Sequence, residues 1–579
     1  MRWHPTMYIY KVGPQQLVLS CPSIDSNSLG SLLSPPHTHP TMSANLRYLL
    51  VFFCVLLTVG ADTFPAYNVK PREATPDGCL ELAGALFGPD DYKITMHNGR
   101  YIALACDGRK RVECDTISGG VFGTDNCDSP DPADGAPNDI PTEEEAIKMG
   151  MELLTSLHML PEEEGGVVIE PASTSNTFLA HEYEFGEGNY VRDDWKIDIT
   201  VNLKVSIVVG DNTFMLTGGG GKFLVTYGSC GKPIVFQALW REICGEKMEE
   251  IPSREQAISE YIASLGPLGP NATVEAKLGY QSEPFGVCQE VMHPVWILEG
   301  EVVANGQKVP VRPQNSRYAA SDNQITRRDS GTGSLPREAH WPAPRSNDDD
   351  DNCKLEVGME YLGEPYGLGL ASENAAGFRS GVMHTAPIGN VTYEKSNALV
   401  WGSDWTTDNK TYVESADLVW YTGHANSNGW MVTVPDTGAP TMARYTSFNQ
   451  SGNGLGEQDL EWLIIAACGP HQDEAFENGA GSVFDRWRGI FHGLHIMFAY
   501  GSASSDSAEE GAKFMRYAQE GNSLIDAWFR AAKEVQPPGV VVTAMWADGA
   551  RDDHLPGYGS VSEDSSSAPQ EMWFMWTTT

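Results

Sequence analysis

Hydrophobic positions recur with helical spacing just after Thr142, in the run EEEAIKMGMELLTSL. A spacing of three and four residues puts the apolar side chains on one face and predicts a helix. Runs that alternate apolar and polar residues follow from residue 195 to 243 and predict antiparallel strands. A second helix over 253–265 and further strands up to Arg312 repeat this order. We therefore expect residues 142–312 to form an α+β domain of two related helix-plus-sheet halves.

The last 227 residues, 353–579, show a different pattern. Two short apolar runs, 417–423 and 460–468, are too uniformly apolar for half-exposed strands and predict strands covered on both faces. Helical spacing follows over 482–501, 507–521 and 523–535, and a further strand begins at Val540. Alternating strands and helices are typical of α/β folds. We expect a three-layer α/β sandwich with a mostly parallel sheet in this domain.

The remaining segments predict secretion. Residues 1–61 comprise an extension followed by Arg47, an apolar run over 48–59 and small residues before Asp62, which is the pattern of a signal peptide. An uncleaved signal anchor is the alternative. Residues 62–141 form a cysteine-containing N-terminal region, and residues 313–352 lack any apolar period and predict a linker. Arginines at 327, 328 and 337 are candidate processing sites in that linker.

Charge and cysteine content narrow the classes of function. The formal net charge is −38, which disfavours nucleic acid and anionic membranes as partners. Nine cysteines follow the leader, so an oxidising compartment would pair eight of them and leave Cys468 or Cys353 unpaired. Four Asn-x-Ser/Thr triplets, at Asn271, Asn390, Asn409 and Asn449, predict a disulfide-bonded, extracellular glycoprotein.

Two residues with catalytic chemistry end the two buried strands of the C-terminal domain. His424 follows the first strand and Cys468 ends the second. Ligands bind at the carboxyl ends of strands in open α/β sheets, so an imidazole and a thiol in one crevice are suited to nucleophilic catalysis. The glycines Gly423 and Gly469 leave room for a substrate backbone. Asp404 and Asp417 are candidate partners of the imidazole, and no spacing favours either.

Two other readings of these residues stay open. In the first interpretation, Cys468 forms a disulfide and His424 is a residue of a turn. In the second, the two residues join other donors in a zinc site, in which a His-x-x-His pair on one helix would supply two ligands. The further candidate ligands are His471, Asp473, His492 and His495. Four tryptophans, Trp420, Trp430, Trp462 and Trp487, are expected in the core rather than around a pocket.

The pair of blocks, Tyr-Thr-Gly-His424 and Ala-Ala-Cys468, resembles the signature of the caspase, legumain and gingipain superfamily of cysteine peptidases. The resemblance implies that His424 is the general base and acid and Cys468 the nucleophile. It also implies an oxyanion hole at the backbone of Cys468 and of the loop after His424. That loop holds Ala425 where the superfamily has glycine. The chain is similar as well to an uncharacterised secreted group that shares these blocks.

We interpret the whole sequence as that of a secreted cysteine peptidase-like protein, which would hydrolyse peptide bonds through a Cys468/His424 dyad. Its partner would be a protein or peptide substrate, and no metal, no cofactor and no membrane span in the mature chain are expected. The alternative is a non-catalytic extracellular binding protein of the same fold. Residues 142–312 have a cystatin-like or PepSY-like outline, and no residue in them suggests chemistry.

Overall fold

A computed structural model describes residues 62–127, 137, 139–161, 166–169, 172–184, 189–304, 306–316, 354–451, 454–476, 480–563 and 568–579. The predicted signal peptide, most of the linker, Cys353 and Asn305 lie outside these residues, and so does the side chain of Asn449. All the described residues belong to one compact unit. The predicted domain boundaries stay predictions.

The helices begin where the sequence supplies caps. Thr142 and Glu145 form a capping box at the helix that begins at Glu143, and the side chains of Ser253 and Ser523 accept hydrogen bonds at the starts of the helices that directly follow them. The α-helices of the described residues are α1 (Pro76–Phe87), α2 (Glu143–Ser156), α3 (Arg254–Ser264), α4 (Ala371–Val382), α5 (Tyr445–Ser451), α6 (Val483–Trp487), α7 (Glu510–Gln519) and α8 (Leu524–Val535).

The strands before the linker include a strand of 20 residues, Tyr190–Val209, which pairs with strands of two sheets. They are β1 (Asp62–Lys70), β2 (Lys93–His97), β3 (Arg100–Ala105), β4 (Lys110–Asp115), β5 (Val121–Asp125), β6 (Val167–Ile169), β7 (Ser173–Glu184), β8 (Tyr190–Val209), β9 (Asn212–Thr217), β10 (Lys222–Tyr227), β11 (Pro233–Leu239), β12 (Glu242–Ile251), β13 (Thr273–Gln281), β14 (Val291–Met292), β15 (Pro294–Ala304) and β16 (Gln307–Asn315).

The strands after the linker are shorter. They are β17 (Glu356–Tyr361), β18 (Asn390–Ser396), β19 (Leu418–Thr422), β20 (Ala425–Asn426), β21 (Gly429–Thr433), β22 (Pro440–Arg444), β23 (Trp462–Ala466), β24 (Ile496–Tyr500), β25 (Val541–Ala547) and β26 (Glu571–Thr578). The neighbouring strands β19, β23 and β24 are buried along their whole length, since both faces of the sheet are covered there.

The fold is mixed α/β, and its large sheet is mostly antiparallel. Strands β18, β17, β19, β23 and β24 pair in parallel in that order. The sheet then continues through antiparallel pairs, β24 with β25, β25 with β26 and β26 with β7. Because β7 precedes the linker, the β26–β7 pair makes one sheet of strands from both sides of it. The expectation of a mostly parallel sheet therefore fits the five strands named first and not the whole sheet.

Side chains of β19 and β23 enter two separate cores. Val419 and Tyr421 face one, and Leu418 and Trp420 face the other, where α4, α7 and α8 cover the sheet. The sheet is thus covered on both faces here. All four tryptophans that were expected in the core are buried.

The predicted helix over 482–501 is wrong in its second half. Its apolar positions form α6 only as far as Trp487, and Ile496–Tyr500 is β24, which pairs with β23. A run of five apolar residues is compatible with a buried helix and with a buried strand. Here the segment is a strand because it pairs with the neighbouring β23. The predicted helix pair and strands of 142–312 are confirmed, and the two halves are joined by the parallel pair of β9 with β13.

Cysteine pairing is sparser than expected. Cys106 and Cys127 form a disulfide, whereas Cys468 and five other cysteines of the described residues are free thiols, namely Cys79, Cys114, Cys230, Cys244 and Cys288. Among the candidate glycosylation sites, Asn271 and Asn390 are exposed and Asn409 is buried. In the described part of the chain, no helix has the length and apolar character needed to cross a membrane.

Candidate functional site

The strands that carry His424 and Cys468 are parallel neighbours. Thr422, the last residue of β19, lies directly opposite Ala466, the last residue of β23. His424 and Cys468 each come two residues later, so both leave the same edge of the sheet at the same level. This is the arrangement that the sequence predicts, although the catalytic role of the two residues stays a prediction.

His424 is fully buried and held by the backbone. Its Nε2 lies 2.8 Å from the carbonyl oxygen of Tyr366 and therefore donates a hydrogen bond to it, while Nδ1 has no hydrogen-bond partner among the described residues. Burial is the main reason why the pKa of the imidazole is lowered to about 4; the hydrogen bond to Tyr366 opposes this shift, and the nearby Arg312 guanidinium adds to it. The ring is neutral at neutral pH, with a free lone pair on Nδ1.

Cys468 is also fully buried. Its Sγ accepts a hydrogen bond from the backbone N–H of Ser504 at 3.3 Å and lies 3.5 Å from the carbonyl oxygen of the same residue. Burial raises the pKa of the thiol, although the Arg312 guanidinium opposes this shift. A protonated, enclosed thiol is a poor nucleophile. Within the described residues, no hydrogen bond joins Cys468 to His424.

The candidate carboxylate partners of His424 lie elsewhere. Asp404 forms an ion pair with Lys395 at 2.8 Å. Asp417 accepts a hydrogen bond from the backbone N–H of Glu356. Because Nε2 of His424 bonds to a carbonyl group and Nδ1 bonds to nothing, no carboxylate of the described residues orients the ring.

The residues of the expected oxyanion loop surround the strand ends. Gly423 has no room for a side chain, since a Cβ there would lie 2.1 Å from the hydroxyl of Tyr421. Gly469, directly after the thiol, has a φ of 74°, which favours glycine. Ala425 begins β20 and pairs with Trp430. An oxyanion hole formed by these backbones stays a prediction.

The alternative metal site is not assembled. Among the described residues, no group of three or more His, Cys, Asp or Glu side chains is placed to hold a metal ion. His471 bonds to Thr543, Asp473 binds Arg192 through both oxygens, and His495 bonds to Asp553. These donors are therefore used in separate contacts. The alternative in which Cys468 is half of a disulfide is also not found, since its thiol is free.

A residue that sequence analysis missed occupies the space between these strand ends. The fully buried Arg312 reaches from β16 to the C-terminal part of the chain, where Nη1 donates to Thr422 Oγ1 at 3.0 Å and to the Ala466 carbonyl at 2.7 Å. Nη2 donates to the Ser505 carbonyl at 2.6 Å, and Nε lies 3.4 Å from that of Ser504. Arg312 therefore links the end of residues 142–312 to the candidate site, while the expectation that no residue in this segment has a chemical role stays a prediction.

Arg312 lies where the strand pairing of β16 is irregular. Alternation with the buried Val309 and Val311 would point Arg312 to the opposite face. The register between β15 and β16 shifts between Leu298 and Gly300, and this irregularity spans Arg312. Bulges re-aim side chains, and the sequence signal available here was only an arginine followed by Pro313.

Two carboxylates flank the guanidinium. Glu510, the first residue of α7, lies 3.6 Å from Arg312 Nη2 and is fully buried. Asp506 accepts hydrogen bonds from the Leu370 backbone and the Gln314 amide through Oδ2, whereas Oδ1 has no hydrogen-bond partner in the part of the chain that the structure describes. Burial raises the pKa of Asp506 to about 6, against the attraction of Arg312.

Comparisons with known proteins leave the function open. Residues 356–578 match the model of a family described as a domain of unknown function, DUF6345. No curated protein matches the chain. A solved structure of an uncharacterized protein from Eubacterium rectale is similar at 10% identity over 44% of this chain and 82% of that one, with a TM-score of 0.27. What can be said of function therefore comes from the site itself, and the matched region contains both His424 and Cys468.

Proposed function

We propose that residues 353–579 form a caspase-like cysteine peptidase domain in a latent state, secreted with its preceding α+β domain. The observation that carries the proposal is the shared exit of His424 and Cys468 from neighbouring parallel strands, two residues beyond a directly paired Thr422 and Ala466. Crevices at such strand ends are where α/β folds bind ligands. The proposal includes a three-layer α/β sandwich for this domain. The separate cores on the two faces of β19 support it.

In the proposed reaction, the thiolate of Cys468 attacks the carbonyl carbon of a peptide bond. His424 takes the thiol proton and then gives it to the leaving amine, which leaves a thioester on Cys468. Water attacks the thioester, the C–S bond breaks, and the carboxylic acid and free thiol are released. Both side chains must first become accessible, because each is fully buried in the present structure.

The protonation states of the two buried side chains support the proposal that the domain is inactive in this state. Burial raises the pKa of the thiol and lowers that of the imidazole, so both groups are neutral and neither activates the other. Opening of the site would hydrate both groups and reverse these shifts. The same burial is the observation that favours the second candidate, a non-catalytic extracellular binding protein in which the two side chains serve only packing.

The deciding experiment compares the purified full chain with Cys468→Ala and with Cys288→Ala, which removes an exposed thiol instead. Each protein is incubated with a fluorogenic peptide mixture and with iodoacetamide, before and after limited trypsin digestion, and the labelled cysteines are mapped by mass spectrometry. We expect hydrolysis and Cys468 labelling only after digestion, lost in Cys468→Ala and kept in Cys288→Ala. Equal hydrolysis by Cys468→Ala, or no hydrolysis in any sample, would leave the binding protein as the better description.

A further inference from the structure

A cavity in the N-terminal part of the chain is lined by residues that take no part in the candidate peptidase site. Its volume is about 400 Å³, which is within the range of about 300 to 1,000 Å³ for small-molecule sites. Its lining residues lie between Arg72 and His158 and come from α1, from the turn between β4 and β5 and from the end of α2. The cavity is therefore large enough for a ligand of its own.

Two buried thiols form the floor of this cavity. Cys79 of α1 and Cys114 of β4 both line it, and only 1% and 3% of their surfaces are exposed. The two thiols are hydrogen-bonded to each other, and Cys79 Sγ also donates to the carbonyl oxygen of Tyr101 at 3.5 Å. Because the two sulfurs are in contact, the pair can give up two electrons together and become a disulfide.

The environment of the two thiols sets the order in which they react. The hydrogen bond with Cys79 raises the pKa of the Cys114 thiol, and burial raises it further, while the Arg72 guanidinium opposes these shifts. Cys114 therefore keeps its proton at neutral pH, and Cys79 is the thiol that attacks first. A hydrogen bond from Cys114 stabilises negative charge on the sulfur of Cys79 during this step.

The rim of the cavity carries charges of both signs. Arg72 is half-buried there, and Glu73 and Glu81 are exposed. The Arg72 guanidinium donates through Nη1 to the thioether of Met159, which is a weak acceptor, so a carboxylate would be a stronger partner. A ligand with a carboxylate and an ammonium group would thus meet an opposite charge for each of them. Amino acids and short peptides carry both groups.

We propose that this cavity binds a small zwitterionic disulfide, two amino acids or short peptides joined through sulfur, and that the Cys79/Cys114 pair reduces it. The Cys79 thiolate attacks one sulfur of the ligand, its S–S bond breaks, and one half leaves and takes up a proton. Cys114 then loses its proton and attacks the Cys79 sulfur of the mixed disulfide, which releases the second half as a thiol. The protein is oxidised to one disulfide, and the ligand is reduced to two thiols. This activity is independent of peptide hydrolysis at Cys468.

The test follows formation of the Cys79–Cys114 disulfide in the purified full chain by acid quenching, alkylation and peptide mapping. L-cystine, oxidised glutathione and the uncharged bis(2-hydroxyethyl) disulfide are compared over a range of concentrations. The exposed thiol of Cys288 in the same sample reports the intrinsic reactivity of each compound. Relative to Cys288, we expect the pair to react with the better zwitterionic compound about tenfold faster than with the uncharged one. Its rate should level off at high concentration, because the ligand binds before it reacts.

Variants of the cavity separate binding from reaction. Arg72→Gln should reduce the preference for the zwitterionic compound about tenfold, since one charge-assisted hydrogen bond is lost. The matched control, Lys93→Gln, removes an exposed cation outside the lining of the cavity and should keep the preference. Cys114→Ser should stop the reaction at a mixed disulfide on Cys79. Equal relative rates for all three compounds, or an unchanged preference in Arg72→Gln, would overturn the site.

Discussion

The buried imidazole of His424 should make the free energy of unfolding decrease as the pH falls, and the substitution His424→Gln should remove this contribution. Its pKa is about 4 in the folded chain and 6.5 in an unfolded one. As pH falls below 6.5, the unfolded chain gains a proton on this ring that the folded chain does not, so the free energy of unfolding decreases. Above that pH the ring is neutral in both states and contributes no pH dependence.

The size of the effect follows from the two values. Between pH 7 and pH 5 the lost stability is about 2 kcal/mol, and it approaches about 3.4 kcal/mol below pH 4. For about 500 residues that unfold together, the unfolding entropy is roughly 1 kcal/mol per kelvin, so 2 kcal/mol corresponds to about 2 °C. His424→Gln, which does not titrate, should therefore lose about 2 °C less than the parent between pH 7 and pH 5.

Differential scanning calorimetry of both proteins at several pH values measures this difference. The comparison uses the change with pH, so a constant cost of the substitution cancels. The matched control is His384→Gln, because the ring of His384 is exposed, and it should follow the parent. Identical pH dependence of His424→Gln and the parent would refute the burial argument and show that water reaches the ring in the folded protein.

Two further predictions concern the N-terminal region. The Glu113 carboxylate is fully buried and pairs with four arginines, at positions 100, 111, 516 and 530, so Glu113→Gln should destabilise the protein by about 3 to 5 kcal/mol in urea unfolding. Glu571→Gln, at a half-exposed ion pair, should cost under about 1 kcal/mol. The buried thiols Cys79 and Cys114 interact with each other, and a 400 Å³ cavity reaches both. Oxidised glutathione should therefore join them and release two molecules of reduced glutathione. Peptide mapping should find this disulfide in the parent, and detection of mixed disulfides alone would contradict it.

Local patterns predicted many elements of this fold. The capping residue Thr142 and the acidic first turn of α2 specify a helix through contacts within a few residues. The uniform apolar runs of β19 and β23 predict strands covered on both faces, because only such strands bury every side chain. The order of these two strands and their last residues also brought His424 and Cys468 into one candidate site.

Pairing between distant segments was not predictable in the same way. Ile496–Tyr500 is a strand because β23 offers it a partner, and the local spacing also fitted a helix. Likewise, β26 joins β7 across the linker, an antiparallel pair between residues nearly 400 positions apart. No periodicity within either segment identifies its partner.

The sequence by itself determined where α2, α3 and α8 begin, that β19 and β23 are wholly buried and that His424 and Cys468 follow them, because caps, periods and strand lengths depend on neighbouring residues. Only the tertiary structure decided how accessible and how charged those side chains are. Arg312, at the register irregularity of β16, bonds to Thr422 and Ala466 at the strand ends, and packing from both sides removes water from His424 and Cys468. Solvent exposure and pKa depend on all atoms within several ångströms, which come from segments far apart in the chain.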